Sequence, residues 1–208
     1  MVVVMNTPAR YRSLRQRLTD LDLKIIAMMA NSHDSWPPLD QLATYLANYA
    51  PHLYALGFIG AWYALDPDDV ESRSMIVRSV IAGGTAVLTA RVISQLVPRT
   101  RPFAVSDASI TGLIDHRPSH SFPSTHSAGA TAFVVGLGSK PAGLSSIFRP
   151  LTLGVLGSRI YSGVHWPTDV GAGALVGAGI GYVVKADILR RRQYQLTELI
   201  IGLTPMLR

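Results

Sequence analysis

The chain contains no cysteine. That excludes a disulfide framework, a thiolate nucleophile and a thiolate metal site. Charge is also scarce: 15% of the 208 residues are Asp, Glu, Lys or Arg, against about a quarter in an ordinary soluble domain. With 48% hydrophobic residues, this balance disfavours a soluble globular protein and excludes a disordered one. There is no low-complexity tract, no repeat of fixed period and no linker that would divide the chain. The formal net charge of +6 would raise the question of nucleic acid in a soluble protein. Here the basic residues sit outside the apolar stretches, as membrane-flanking charge does. Lipids, not nucleic acids, are the expected partners.

Uninterrupted apolar runs of ~20 residues, the length that crosses a bilayer, are also few. Residues 1–17 read as a basic, weakly ordered leader, without the apolar region and cleavage site of a signal peptide. Residues 18–208 then form a single membrane-embedded domain. Within it, 18–30 is short and charged, suited to an interfacial or partly inserted helix. Five apolar segments follow at 39–65 (interrupted by Pro51 and His52), 75–97, 122–137, 144–164 and 169–184. In the last, Gly173, Gly177 and Gly181 recur every four residues. That bare face suits either a substrate groove or close helix packing, and small-residue faces favour packing. The expected fold is all-α, an integral-membrane bundle of five to six transmembrane helices. Lys185 and Arg190 to Arg192 belong on the cytoplasmic side by the positive-inside rule. Counting back puts residues 97–121 and 163–168 outside. The basic N-terminus lies inside only if 18–30 also crosses.

Three polar clusters fall on that outer side. Arg99 and Arg101 follow the second apolar segment, Ser124-Thr125-His126 open the third, and Ser158-Arg159 with His165 and Asp169 bridge the last two. Polar residues at membrane depth are costly and are functional candidates. Arg forks suit phosphate oxygens, and Ser124 and Thr125 present helix-start N–H groups to an anion. Asp169, four residues after His165, can hold one imidazole nitrogen and leave the other as base or nucleophile. His126 then serves as general acid. The set fits phosphoryl transfer through a phosphohistidine, with arginine supplying the positive charge. Taken singly, the arginines could anchor head groups, the histidines could be structural, and Asp169 could cap a helix. A zinc site from His126, His165 and Asp169 would leave the arginines unexplained, so neither metal nor cofactor is expected.

These residues resemble the motifs of the type 2 phosphatidic acid phosphatase superfamily, which read Lys-x6-Arg-Pro, Pro-Ser-Gly-His and Ser-Arg-x5-His-x3-Asp. The third is complete from Ser158-Arg159 through His165 to Asp169. The second is Pro123-Ser124-Thr125-His126, with Thr in place of Gly, and the first keeps Arg101-Pro102 but has Ser94 in place of Lys. The resemblance implies that His165 attacks phosphorus, Asp169 orients it, and His126 protonates the leaving group. Arg101, Arg159 and Ser124 would hold the phosphate, with Thr125 beside them. For the missing lysine, Arg91, one helical turn deeper, and Arg99, in the loop, are the candidate replacements. An unpaired Arg91 would need the phosphate or an acid such as Asp107 or Asp115. Arg-Pro-Phe at 101–103, Ser-Phe-Pro-Ser-x-His at 121–126 and His-aromatic-Pro-x-Asp at 165–169 are most similar to the bacitracin-resistance type of undecaprenyl-diphosphatase. So are Asn31-Ser32-His33, Leu39-Asp40 and the segment around Pro51. The resemblance implies a lipid phosphatase of the bacterial cytoplasmic membrane, with its site on the outer face and a polyprenyl diphosphate or another lipid phosphate as substrate.

Overall fold

A computed structural model describes residues 13–66, 68–105, 112–114, 119–139 and 142–203, setting aside the side chains of 142 and 187–192. Seven α-helices and no strand occur among the described residues: α1 Leu14–Ala30, α2 Pro37–Ala64, α3 Val70–Leu96, α4 Thr125–Leu137, α5 Ala142–Tyr161, α6 Pro167–Lys185 and α7 Asp187–Leu203. A short 3-10 turn spans Pro102–Ala104. The all-α expectation therefore holds. Only α3 is long and apolar enough to cross a membrane by itself among the described residues.

Local signals explain most boundaries. Helix α1 starts earlier than expected, at Leu14. The Ser13 hydroxyl accepts the Gln16 N–H at 3.3 Å and Gln16 Oε1 accepts the Ser13 N–H at 2.9 Å, a reciprocal cap that draws the basic stretch into the helix. Pro37 and Pro38 open α2, where a missing N–H costs nothing. Pro51, expected to interrupt that segment, lies inside a continuous α2. The turn between α1 and α2 is pinned to the end of α5. Tyr161 donates to Asp40 at 2.7 Å, and His33 Nε2 lies 2.9 Å from the Tyr161 carbonyl.

Helix α4 occupies the centre, packed against α3, α5 and α6. Its neighbours come close because small residues face one another. Ala82, Ala86 and Ala90 of α3 are fully buried against Ala128 and Ala132 of α4. On α6, a Cβ at Gly173 would run into the Ser124 carbonyl oxygen, and one at Gly177 into that of Ala128. The glycine face is thus a packing face, not a groove. This contact holds the start of α4 against the start of α6, where two of the polar clusters lie.

Helices α2 and α3 meet where Ala61 and Trp62 pack on Ile76 and Val77 and where Arg73 donates to the Trp62 carbonyl at 3.3 Å. An apolar cavity of about 590 Å³ lies between α2, α3, α4 and α5. Helix α7 was not foreseen. Gln193 donates to the Val184 carbonyl at 2.7 Å, Thr197 is fully buried, and Ile201 reaches the Trp62 cluster. Arg190 to Arg192 thus belong to a helix that folds back on α3.

Candidate active site

The ends of α3 and α5 and the starts of α4 and α6 bring the polar clusters together. His165 lies in the connection between α5 and α6 and is 2% exposed. Its Nδ1 lies 2.8 Å from the Ser121 carbonyl and 3.8 Å from Asp169 Oδ2. Both neighbours are acceptors, so Nδ1 carries the proton and Nε2 keeps its lone pair. The expected His165–Asp169 pair is present, but the direct hydrogen bond goes to Ser121. Nε2 lies 3.2 Å from Arg101 Nη1. Burial holds the His165 pKa down at about 4, Arg159 and Arg101 push the same way, and Asp169 opposes them. The imidazole is therefore neutral across the physiological range, the form a nucleophile needs.

Asp169 is fully buried in the first turn of α6. It accepts the Trp166 N–H at 2.9 Å and Arg99 Nη1 at 2.6 Å. The capping role and the His165 contact coexist on one carboxylate. Ser124 caps α4: its hydroxyl accepts the Ser127 hydroxyl at 2.9 Å, and its N–H donates to the Asp169 carbonyl at 3.0 Å.

The four expected arginines take different positions. The Nε and Nη2 of Arg101 both donate to Ser119 Oγ, and its Nη1 donates to the Val164 carbonyl at 2.7 Å. Burial lowers its pKa and Asp169 opposes the shift. Arg159 is 1% exposed and donates only Nη1, to the Ala47 carbonyl at 2.6 Å. Its Nε and Nη2 are buried without a hydrogen-bond partner among the described residues. A buried guanidinium edge left open is costly unless an anion fills it.

Arg99 was, with Arg91, one of two candidates to replace the missing lysine at the phosphate. Its Nη1 instead binds Asp169, and its Nη2 binds Asp22 of α1 at 2.7 Å. The guanidinium is drawn to two buried carboxylates. Asp22 is 1% exposed and was missed by sequence reasoning. The available signal was a carboxylate set between Leu21 and Leu23 in a helix that also carries Asp20 and Lys24.

His126, Thr125 and Arg91 face another environment. All three line the apolar cavity, otherwise walled mainly by side chains such as Tyr54, Phe58, Val87 and Phe133. Arg91 therefore lies on the same cavity as His126, while Asp107 and Asp115 fall outside the described residues. No group of three or more metal-ligating side chains occurs among the described residues.

Residues 75–193 match the PAP2 superfamily, a span that includes Arg101-Pro102, Ser124-Thr125-His126 and Ser158 to Asp169. The chain belongs to this superfamily. It is 29% identical over 161 residues to the "Bacitracin transport permease protein BcrC" of Bacillus licheniformis, covering 76% of each chain. It is 28% identical over 156 residues to "Undecaprenyl-diphosphatase BcrC" of Bacillus subtilis, covering 73% of this chain and 77% of that one. Among solved structures it is similar to a transmembrane PAP2 type phosphatidylglycerolphosphate phosphatase from Bacillus subtilis. That likeness has a TM-score of 0.61 and 22% identity, and covers 81% of this chain and 85% of the other. It establishes a shared PAP2 fold. The family and the relatives together support a phosphatase of the membrane-associated PAP2 kind.

Proposed function

We propose that this PAP2 protein is a membrane lipid phosphatase that removes the terminal phosphate of a polyprenyl diphosphate, converting undecaprenyl diphosphate to undecaprenyl phosphate. The observation that carries the reading is the pairing of an open, buried Arg159 edge beside His165 with an apolar cavity lined by His126, Thr125 and Arg91. The first suits phosphate oxygens and the second suits a hydrocarbon tail. The two BcrC relatives, one named an undecaprenyl-diphosphatase, favour that lipid.

In the proposed reaction Nε2 of His165 attacks the terminal phosphorus. The bond from phosphorus to the bridging oxygen breaks, and His126 gives its proton to that oxygen. Asp169 offsets the positive charge that forms on the imidazole. Arg159, Arg101 and the Ser124–Thr125 helix start bind the oxygens. Water, losing a proton to His126, then attacks the phosphohistidine, releasing inorganic phosphate and restoring His165. None of these steps needs a metal.

The domain is proposed to cross a bacterial cytoplasmic membrane five or six times, with the site at the outer face. Arg78, which donates to the Gly136 carbonyl at 2.6 Å, and Lys185 mark the end of the bundle opposite the site. By the positive-inside rule, this supports a cytoplasmic position for that end. The test is phosphate release from purified protein in detergent with EDTA. The panel is undecaprenyl diphosphate, undecaprenyl phosphate, phosphatidylglycerophosphate and phosphatidic acid. The proposal expects the polyprenyl diphosphate to give the highest kcat/KM. Preference for a glycerolipid would replace the substrate, and inhibition by EDTA would overturn metal independence.

A further inference from the structure

Asp22, Arg99, Thr168 and Asp169 form a closed network at the junction of α1 and α6. Arg99 lies between the two carboxylates, with Nη2 2.7 Å from Asp22 Oδ2 and Nη1 2.6 Å from Asp169 Oδ1. The Thr168 N–H donates to Asp22 Oδ1 at 3.0 Å and its hydroxyl to Asp22 Oδ2 at 2.5 Å. Arg99 Nη1 also donates to Thr168 Oγ1 at 2.7 Å. Both carboxylates are buried, at 1% and 0% exposure. Two buried acids share one cation, so the three side chains together keep one negative charge.

That charge matters to His165. The charged groups that bear on the imidazole are Arg159, Arg101 and Asp169. Attack on phosphorus leaves the imidazole positive beside two arginines, and Asp169 is the group positioned to offset it. If Arg99 bound Asp169 alone, the pair would be close to neutral and the offset would be weak. A second carboxylate on the far side of Arg99 divides its positive charge between two acids. Asp22 also holds the Thr168 N–H, which fixes the first turn of α6 and hence the direction of Asp169.

We infer that Asp22 is a positioning residue for the Asp169–His165 pair, acting through Arg99 to keep Asp169 effectively anionic. The inference rests on the roles proposed above for His165 and Asp169. It gives α1, outside the family match at 75–193, a part in catalysis.

The test uses the full-length protein in detergent and compares wild type, Asp22→Asn, Arg99→Gln and the double variant. Asparagine keeps an acceptor for the Thr168 N–H, removes the charge, and puts an amide N–H2 where Oδ2 accepts from Arg99 and the Thr168 hydroxyl. Asp22→Asn should lower kcat by about 10- to 100-fold, the usual scale for a partner one shell away from a reacting group, with KM changed less than twofold. The double variant should recover part of that loss, because the arginine that over-neutralises Asp169 is gone. A wild-type kcat in Asp22→Asn would overturn the inference. So would a double variant whose loss equals the product of the single losses, or a kcat loss fully tracked by a fall in Tm. If Asp22→Asn does not fold, Asp22→Glu keeps the charge and should retain most of kcat; a loss of kcat as large as that of Arg99→Gln would overturn the role. Each variant is assayed on whichever lipid phosphate the wild type hydrolyses. A wrong substrate class therefore shows in the wild type, and a wrong role for Asp22 shows only in the variants.

Discussion

His165 and His126 belong to one proposed reaction, yet the fold gives them opposite surroundings. His165 is 2% exposed, with a carbonyl against Nδ1 and an arginine against Nε2. His126 is half-buried, on the first turn of α4, and lines an apolar cavity with Arg91 and Thr125. The contrast follows from what each must do. A nucleophile gains from being held neutral and fixed before substrate arrives. A proton donor must meet a leaving group that carries a lipid, and so must face the space where a lipid fits. The arginines divide in the same way: Arg101 and Arg159 are buried on the closed side, and Arg91 is exposed to the cavity.

If the closed side holds the nucleophile, His165→Asn should produce the largest loss. The expected fall in kcat is about 10⁶-fold, the scale seen when a nucleophile is removed, with the thermal unfolding of the purified protein retained. On the open side, His126→Ala should lower lipid hydrolysis by about 10²- to 10⁴-fold, as removal of a general acid does. With p-nitrophenyl phosphate the loss should be smaller, because that leaving group needs less protonation. Equal losses on both substrates would erase the proposed division between the two histidines.

Arg159→Lys comes next. Its Nε and Nη2 have no hydrogen-bond partner among the described residues, and an ammonium cannot reproduce two parallel donors. A fall in kcat/KM of about 10²- to 10³-fold is expected, the usual cost of one oxyanion donor. Arg91→Ala should be mildest, a rise in KM of about tenfold for a diphosphate, near the 1.4 kcal/mol worth of one charged contact. Ser94→Lys should restore part of that loss. No change in the Arg91→Ala variant would leave phosphate binding to Arg101 and Arg159.

Most of the bundle was legible because apolar runs and polar breaks mark helices α2 to α6 directly. Pro51 did not break α2, since a proline inside a long, packed helix removes one hydrogen bond without ending it. Helix α7 escaped because Arg190 to Arg192 read as a membrane flank. Among its described side chains the buried ones, Gln193 and Thr197, are polar, while the stripe of Leu196, Leu199, Ile200 and Leu203 is exposed. The motif residues His165, Asp169 and Arg159 were legible from spacing, and the fold brings them together. The partners of Arg99 were not. Asp22 and Asp169 are far apart in the chain, and nothing local links a carboxylate on α1 to a loop after α3. Likewise, the Ser121 carbonyl that holds His165 is backbone, so no residue type announces it.

Rapid acid-free quenching with terminally labelled undecaprenyl diphosphate tests the account most directly. It predicts a transient phosphoenzyme, stable in alkali and lost in acid, with the label on the peptide that contains His165. The label should be absent in His165→Asn. Phosphate release in the first turnover with no labelled protein, or a label on any other side chain, would contradict the account.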